Sequence, residues 1–358
     1  MPQSIAIICI TRNGINIARN IKSSIPDVKI YAQSKHSDSG SDIIWFEEAA
    51  AVLISEVFKK YEVLICIFSL GAVIRLISKL LVDKKYDPAV LVIDDQANYV
   101  ISALSGHLGG ANSMAILISK LLNCQAIITT AADVNKTIAV DLLGHEFGWL
   151  IDNFENVTKV SAHMVNEDKV GVFQDTGELT WWDKKELPKN VTLVKNIEEL
   201  MSKEYRACLI ITDRIINENT LIEKSVVYRP KSLVVGLGLH WDTTESEISN
   251  GIKKVLGENG LSMKSVRSIA SIRKNVLPQG LEQFTSKHEI PMTLFERNTL
   301  NQIMVPTPSD IVKKFEGTAS VAEAASICGS SGDLIVPKQK FPPKLTVAIS
   351  RLKYDKQN

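Results

Sequence analysis

The chain has 358 residues, 45% of them hydrophobic and 23% charged, with 41 Lys plus Arg against 40 Asp plus Glu. That length exceeds one ordinary core and predicts two or three domains, and the composition is that of a folded protein rather than a disordered one. A formal net charge of +1 excludes the broad basic excess of a nucleic-acid-binding domain, so an anionic ligand has to be held by a local constellation. Cys9, Cys66, Cys124, Cys208 and Cys328 are an odd number without CxxC spacing, which reads as reduced thiols in a cytoplasmic setting. No charged segment precedes an apolar stretch at the start, so no secretory signal is expected. The longest apolar run, residues 63–74, contains Ser69 and Gly71 and falls short of the ~20 residues that a membrane span needs.

In chain order, residues 5–10 are a continuous apolar run, as expected of a strand covered on both faces. Asn13-Gly14 interrupts it, and Ile17, Ile21 and Ile25 then follow helical spacing. Residues 47–61 read as a helix with Glu at its start and Lys59 and Lys60 at its end, in line with the macrodipole. Residues 63–68 and 89–93 are further buried strands, with a helix through Leu80 between them. Residues 98–102 pair beside the second of these strands. A helix over 109–122 and a strand over 125–130 complete residues 1–150, a three-layer domain with a mostly parallel sheet.

Beyond residue 150 the texture changes. Residues 170–173 and 179–182 flank Gln174-Asp175-Thr176-Gly177-Glu178, which predicts a hairpin with Gly177 at positive φ. A strand over 207–211 follows, and 151–229 form a small α/β middle domain. The third α/β domain, 230–358, opens with a strand over 232–236. A helix over 243–257 follows, where Thr244 and Glu247 fit a capping box. Residues 321–328 are a small-residue helix and 345–349 a closing strand. There is no repeat and no low-complexity tract.

Ser105-Gly106-His107-Leu108-Gly109-Gly110-Ala111-Asn112 lies between a strand and a helix, where α/β sheets place ligands. Its glycines let backbone approach a ligand, the helix end presents unpaired N–H groups, and His107 titrates near neutrality. A Gly-rich turn needed only for packing explains the same residues. Three other loops are expected to converge on the same rim: Ser69-Leu70-Gly71 leading to Arg75, Asp94-Asp95-Gln96, and Thr129-Thr130 running to Asp133 and Asn135. Each taken alone also fits a turn or a capped strand end. The third domain offers Gly236-Leu237-Gly238-Leu239-His240-Trp241-Asp242, with a Gly-x-Gly after its strand, a base and a flat ring. Trp241 as a core anchor beside an exposed His240 fits equally. His145-Glu146 is followed by Trp149 where a second His would stand, which excludes HExxH. With six scattered His, no protein-held metal is expected.

Together these residues resemble the cobalamin biosynthesis protein G family, the cobalt-precorrin-5A hydrolases. The resemblance rests on Gly71-Ala-Val-Ile-Arg75, Asp83-Lys84, Asp87-Pro88-Ala89-Val90, the run from Val100 to Asn112, and Ile128-Thr-Thr-Ala-x-Asp133. In the third domain it rests on Gly236, Gly238, Pro308-Ser309, Ser320-Val-Ala-Glu-Ala-Ala325, Val336-Pro337-Lys338 and Thr346-Val-Ala-Ile349. It covers nearly the whole chain, the middle least distinctively.

The resemblance implies opening of the ring A acetate lactone of a cobalt-bearing tetrapyrrole, with release of acetaldehyde. Cobalt then arrives with the substrate, and no cofactor is implied. The roles that follow are His107 as base, the amides of 109–111 as oxyanion donors, and Asp133 or Asp95 as the group orienting His107. Arg75, Lys84 and Lys136 pair with peripheral carboxylates. Gly71, Gly106, Gly109, Gly110, Asn112, Thr129, Thr130, Gly236, Gly238, His240 and Trp241 line the substrate. The only partner class required is the small-molecule tetrapyrrole, with neither nucleic acid nor membrane. The resemblance is also compatible with a homodimer and with transient handover from or to other cobalamin-pathway enzymes. Family members commonly carry Cys and Arg just after the Gly-x-Gly, where this chain has Leu239, His240, Trp241 and Asp242. That departure motivates a second reading, a non-catalytic corrinoid binder of the same fold. A third, a nucleotide or sugar-phosphate binder, lacks GxGxxG and Walker spacing.

Overall fold

The computed structural model describes residues 4–354 apart from 84, 85, 108, 183–185 and 275. Two compact units are present, Met1–Leu142 and Leu143–Asn358. In the first unit the strands are β1 (Ile5–Cys9), β2 (Lys29–Gln33), β3 (Ile43–Phe46), β4 (Val63–Ile67), β5 (Ala89–Ile93), β6 (Tyr99–Leu104) and β7 (Gln125–Ile127). They lie in the order β3-β2-β1-β4-β5-β6-β7. Its helices are α1 (Arg12–Ser24), α2 (Ala50–Val57), α3 (Leu70–Ile77), α4 (Ala111–Leu122) and α5 (Ala131–Val134).

Every residue of β1, β4 and β5 is buried, because helices cover both faces. Ile15, Ala18 and Ile21 of α1 and Met114, Ala115 and Ile118 of α4 pack over Ile7, Ile65 and Leu91. Leu53, Ile54 and Val57 of α2 and Val73 and Ile77 of α3 pack over Ile8, Leu64 and Val90 on the other face. The result is a three-layer α/β unit. The helix expected over 47–61 is shorter, Ala50–Val57, and its N-cap residue, Ala49, offers no side-chain cap.

Strand direction decides where loops can meet. β3, β2, β1, β4 and β5 run parallel. β6 turns back antiparallel to β5, pairing Ile93 with Val100 and Val90 with Leu104, and β7 runs parallel to β6. The loops that leave β6 and β7 therefore emerge at the edge where β1, β4 and β5 begin, opposite the edge where those strands end.

The second unit carries two five-stranded sheets. One comprises β8 (Leu150–Ile151), β9 (Val170–Gln174), β10 (Val191–Val194), β11 (Ala207–Ile211) and β12 (Ser225–Arg229), in the order β10-β9-β11-β12-β8. The hairpin expected after β9 is absent, since β9 pairs in parallel with β10 and β11. Gln174 explains this: its amide nitrogen, Nε2, donates to the carbonyls of Thr176, Gly177 and Glu178, while its Oε1 accepts from Trp181 Nε1 at 2.7 Å. The segment wraps around its own amide side chain instead of pairing back. Gly177 takes the expected positive φ, 87°.

The other sheet comprises β13 (Leu233–Leu239), β14 (Val266–Ile272), β15 (Met292–Phe295), β16 (Asp333–Phe341) and β17 (Leu345–Arg351), in the order β15-β14-β13-β17-β16. Its helix Glu245–Glu258 starts with the expected Thr244–Glu247 capping box. Among the described residues no helix is long and apolar enough to cross a membrane.

The two sheets of this unit are joined at Asp213, which is fully buried. Its carboxylate accepts from Ser232 Oγ, Arg351 Nε and Arg351 Nη2, each at 2.7 Å. Removing one member of a buried, hydrogen-bonded pair leaves the other charge uncompensated. Asp213→Ala is expected to cost about 3 kcal/mol of stability, read from the midpoint of urea unfolding.

Candidate functional site

The rim shared by the ends of β6 and β7 gathers the loop 105–110, α5 and the turn after it. His107 lies between two carboxylates: Nε2 is 2.8 Å from Asp133 Oδ2 and Nδ1 is 3.3 Å from Asp141 Oδ1. Asn112, in the first turn of α4 and buried, donates from Nδ2 to Asp133 Oδ2 at 2.7 Å and to Thr130 Oγ1 at 2.9 Å. Its Oδ1 accepts from Ser102 Oγ at 2.6 Å. The loop is tied to the segment before β5 by Ser105 Oγ, which donates to the Asp87 carbonyl at 3.0 Å.

Two glycines are needed for identifiable reasons. A Cβ on Gly106 would stand 2.7 Å from Asn112 Oδ1 and 3.1 Å from Thr130 Oγ1, so glycine makes room for the polar network. Gly110 precedes α4 at φ 81°, a conformation that other residues rarely adopt.

Both ring nitrogens of His107 face carboxylate oxygens. Only the imidazolium has an N–H on each nitrogen, so this geometry favours the charged form. The His107 pKa is accordingly raised above its ordinary 6.5; the hydrogen bond to Asp141 is the largest cause, partial burial opposes it, and the bond to Asp133 adds to it. The sequence pointed to His107 as a base. As placed, a carboxylate faces each ring nitrogen, an arrangement that favours the imidazolium over the neutral ring.

Several expected roles change. Two of the three amides proposed as oxyanion donors are committed within the loop: Gly110 N–H donates to the His107 carbonyl at 2.9 Å and Ala111 N–H to the Ser105 carbonyl at 3.2 Å. Tight turning of the backbone into α4 points these two inward. Gly109 packs over Ser105, with a built Cβ 2.4 Å from the Ser105 Cβ.

Asp95 does not orient His107. It binds the Thr11 side chain at 2.5 Å and, through its carbonyl, Asn13, at the edge where β1 and β5 end. Gly71 and Arg75 lie after β4 at that same opposite edge, and Arg75 Nη1 donates to the Gly71 carbonyl at 3.4 Å. The antiparallel turn from β5 into β6 separates them from His107. Thr130 joins the network, whereas Thr129 is exposed beside it. Lys136 is exposed two residues beyond α5, and Lys84 lies outside the described residues.

In the second unit, Gly236 and Gly238 are inside β13 rather than in a loop after it. A Cβ on Gly236 would meet the Ala322 carbonyl at 1.9 Å. The glycine therefore admits the helix Val321–Ser330, and ligand approach is not its cause. His240 Nδ1 binds Asp242, and Trp241 is 77% exposed, so it is no core anchor. Asp242 is held down to about 2 by Lys344 and then by His240. Lys344 Nζ is 2.8 Å from Asp242 Oδ2, and Lys274 Nζ donates to the Leu239 carbonyl at 3.4 Å. Cations do reach this loop, but from distant parts of the sequence.

Asp141 and Ser102 were not singled out from the sequence. The available signal for Asp141 was weak: a carboxylate following Ile138-Ala139-Val140, whose two branched residues are buried.

The raised His107 pKa makes stability depend on pH. Folding gains from the charged imidazole below its unfolded value of 6.5, and the gain is lost as pH rises through the higher folded value. The Tm advantage of the wild type over His107→Gln is expected to be larger at pH about 6 than at pH about 9 in thermal melts.

Three family models match the chain: cobalamin synthesis G N-terminal over residues 52–133, cobalamin biosynthesis central region over 138–230, and cobalamin synthesis G C-terminus over 233–350. A protein of Priestia megaterium named cobalt-precorrin-5A hydrolase is 38% identical over 356 residues, spanning 98% of this chain and 95% of that one. One of the same name from Salmonella typhimurium is 28% identical, spanning 93% and 94%. A crystal structure of a cobalamin biosynthesis protein G homolog from Sulfolobus solfataricus is 24% identical, spans 98% of this chain and 97% of that one, and has a TM-score of 0.39. With domains of all three kinds in order and a relative this similar over nearly its whole length, the chain belongs to the cobalamin synthesis G family.

Proposed function

We propose that the protein is a cobalt-precorrin-5A hydrolase that opens the ring A acetate lactone and releases acetaldehyde, with His107 as the proton-transfer group. The observation that carries this reading is the imidazole held between Asp133 and Asp141 at the rim where β6 and β7 end. The names of the full-length relatives supply the substrate.

Opening a lactone adds water to the carbonyl carbon and breaks the bond from that carbon to the ring oxygen. The water's proton needs an acceptor, and the departing alkoxide needs a donor. Asp133, with 45% of its side chain exposed, accepts the first proton. The His107 imidazolium gives the second to the alkoxide. The hydroxyl formed stands on the carbon that will leave. His107, now neutral, takes that proton back, the carbon–oxygen double bond of acetaldehyde forms, and the carbon–carbon bond to the macrocycle breaks. The electron pair goes to the conjugated ring, which is later protonated. One imidazole thus serves as acid and then as base, a sequence that suits a pKa near the working pH. Cobalt arrives within the substrate, and no step is assigned to a protein-held metal.

Incubation with cobalt-precorrin-5A and an enzymatic assay for free acetaldehyde tests the reading. The wild type is expected to release one acetaldehyde per substrate, and His107→Ala to slow release by roughly 100-fold or more. A spectral shift on binding with no acetaldehyde would replace this reading with that of a corrinoid carrier.

A further inference from the structure

We infer that Asp141 is the positioning residue of the site: its carboxylate fixes His107 Nδ1 and leaves Nε2 as the nitrogen that exchanges Asp133 for substrate. This rests on the reading of His107 as the proton-transfer group.

The two carboxylates that face the imidazole are not equivalent. Among the described residues these are the charged groups placed against it, Asp133 from α5 and Asp141 from the turn that follows. The Asp141 side chain is 13% exposed and that of Asp133 45%. Asp141 follows a backbone anchored by Ile138 and Val140, which are 2% and 1% exposed, and Leu142 N–H closes the turn onto the Ala139 carbonyl at 3.0 Å. Asp133 sits in a four-residue helix with no buried member, and the oxygen that meets His107 also accepts from Asn112.

An arriving substrate oxygen can therefore displace the outer bond, at Nε2, without disturbing the inner one. The Asn112 amide keeps Asp133 in place when it loses the imidazole. A shielded carboxylate behind Nδ1 sets which tautomer remains once Nε2 has given up its proton, and stabilises the ring while it is charged. The same division of labour operates behind the imidazole of serine-protease triads. The outer carboxylate is free to receive a proton from water.

Two measurements test this on the full chain. The first needs no substrate: nitrogen-15 NMR of the His107 ring through a pH titration, for wild type, Asp141→Asn, Asp141→Glu and Asp133→Asn. Neutral wild-type His107 is expected to carry its proton on Nδ1. Asp141→Asn should remove that preference and shift the midpoint downward, by more than Asp133→Asn does, and Asp141→Glu should restore part of both.

The second is acetaldehyde release against pH. Asp141→Asn should lower kcat roughly 100-fold with KM little changed, because orientation and charge are lost while binding is not, and its alkaline limb should move to lower pH. An Asp141→Asn protein with wild-type tautomer, midpoint and kcat overturns the inference while leaving the proposed hydrolysis standing. A tautomer change without acetaldehyde from any form, wild type included, overturns the hydrolysis and confines Asp141 to holding the ring.

Discussion

An imidazole can be gripped from both sides only if separate segments of chain end at one place, and in the first unit the reversed direction of β6 meets that condition. Had β6 continued the parallel pattern of β1, β4 and β5, its exit loop would have joined Thr11, Ser69 and Asp95 at the edge where those strands end, the usual ligand edge of such sheets. The turn at Asp94 prevents this: its carboxylate accepts from the amides of Gln96 and Tyr99, closing a tight reversal. β7 then runs parallel to β6, so Thr130 and Asp133 arrive beside His107. The site is thus built at the edge where most strands of the sheet begin.

Much of the fold was legible because its strands carry their burial in their composition. The runs 5–10, 63–68 and 89–93 are apolar at every position, and a strand covered on both faces needs that. The Thr244–Glu247 box was equally plain, since both partners lie within one turn. β2 and β3 were not legible: β2 starts at an exposed Lys29 and β3 exposes Ile44, so neither shows a continuous run or a clean alternation. After β9, the apolar residues around Trp181 looked like a returning strand, because a sequence does not reveal that Gln174 can satisfy three carbonyls of that segment itself.

The site was half legible. Clustered glycines announce that something approaches the backbone closely, without saying what. At Gly106 it is the Asn112 and Thr130 side chains, and at Gly236 it is the Ala322 carbonyl. Asp133 and Asp95 both follow strands and looked equivalent as partners of His107. Choosing between them required the direction of β6, a long-range property that local pattern does not encode. Asp141 was harder still, because it follows no strand and belongs to no motif, and its value lies wholly in where the chain after α5 comes to rest.

Electrostatics gives the charged state of His107 a second consequence. With the imidazole protonated, the three side chains His107, Asp133 and Asp141 sum to one negative charge; with it neutral they sum to two. The chain as a whole, at +1, supplies no general attraction for a polyanion, so local charge governs the approach of one. A polyanion would therefore meet less repulsion at this rim while His107 is charged. Val82 and Tyr86 are 83% and 82% exposed, and the Asp87 carboxylate accepts the Val82 amide. Because Ser105 is bonded to the Asp87 carbonyl, Val82 and the His107 loop share one support.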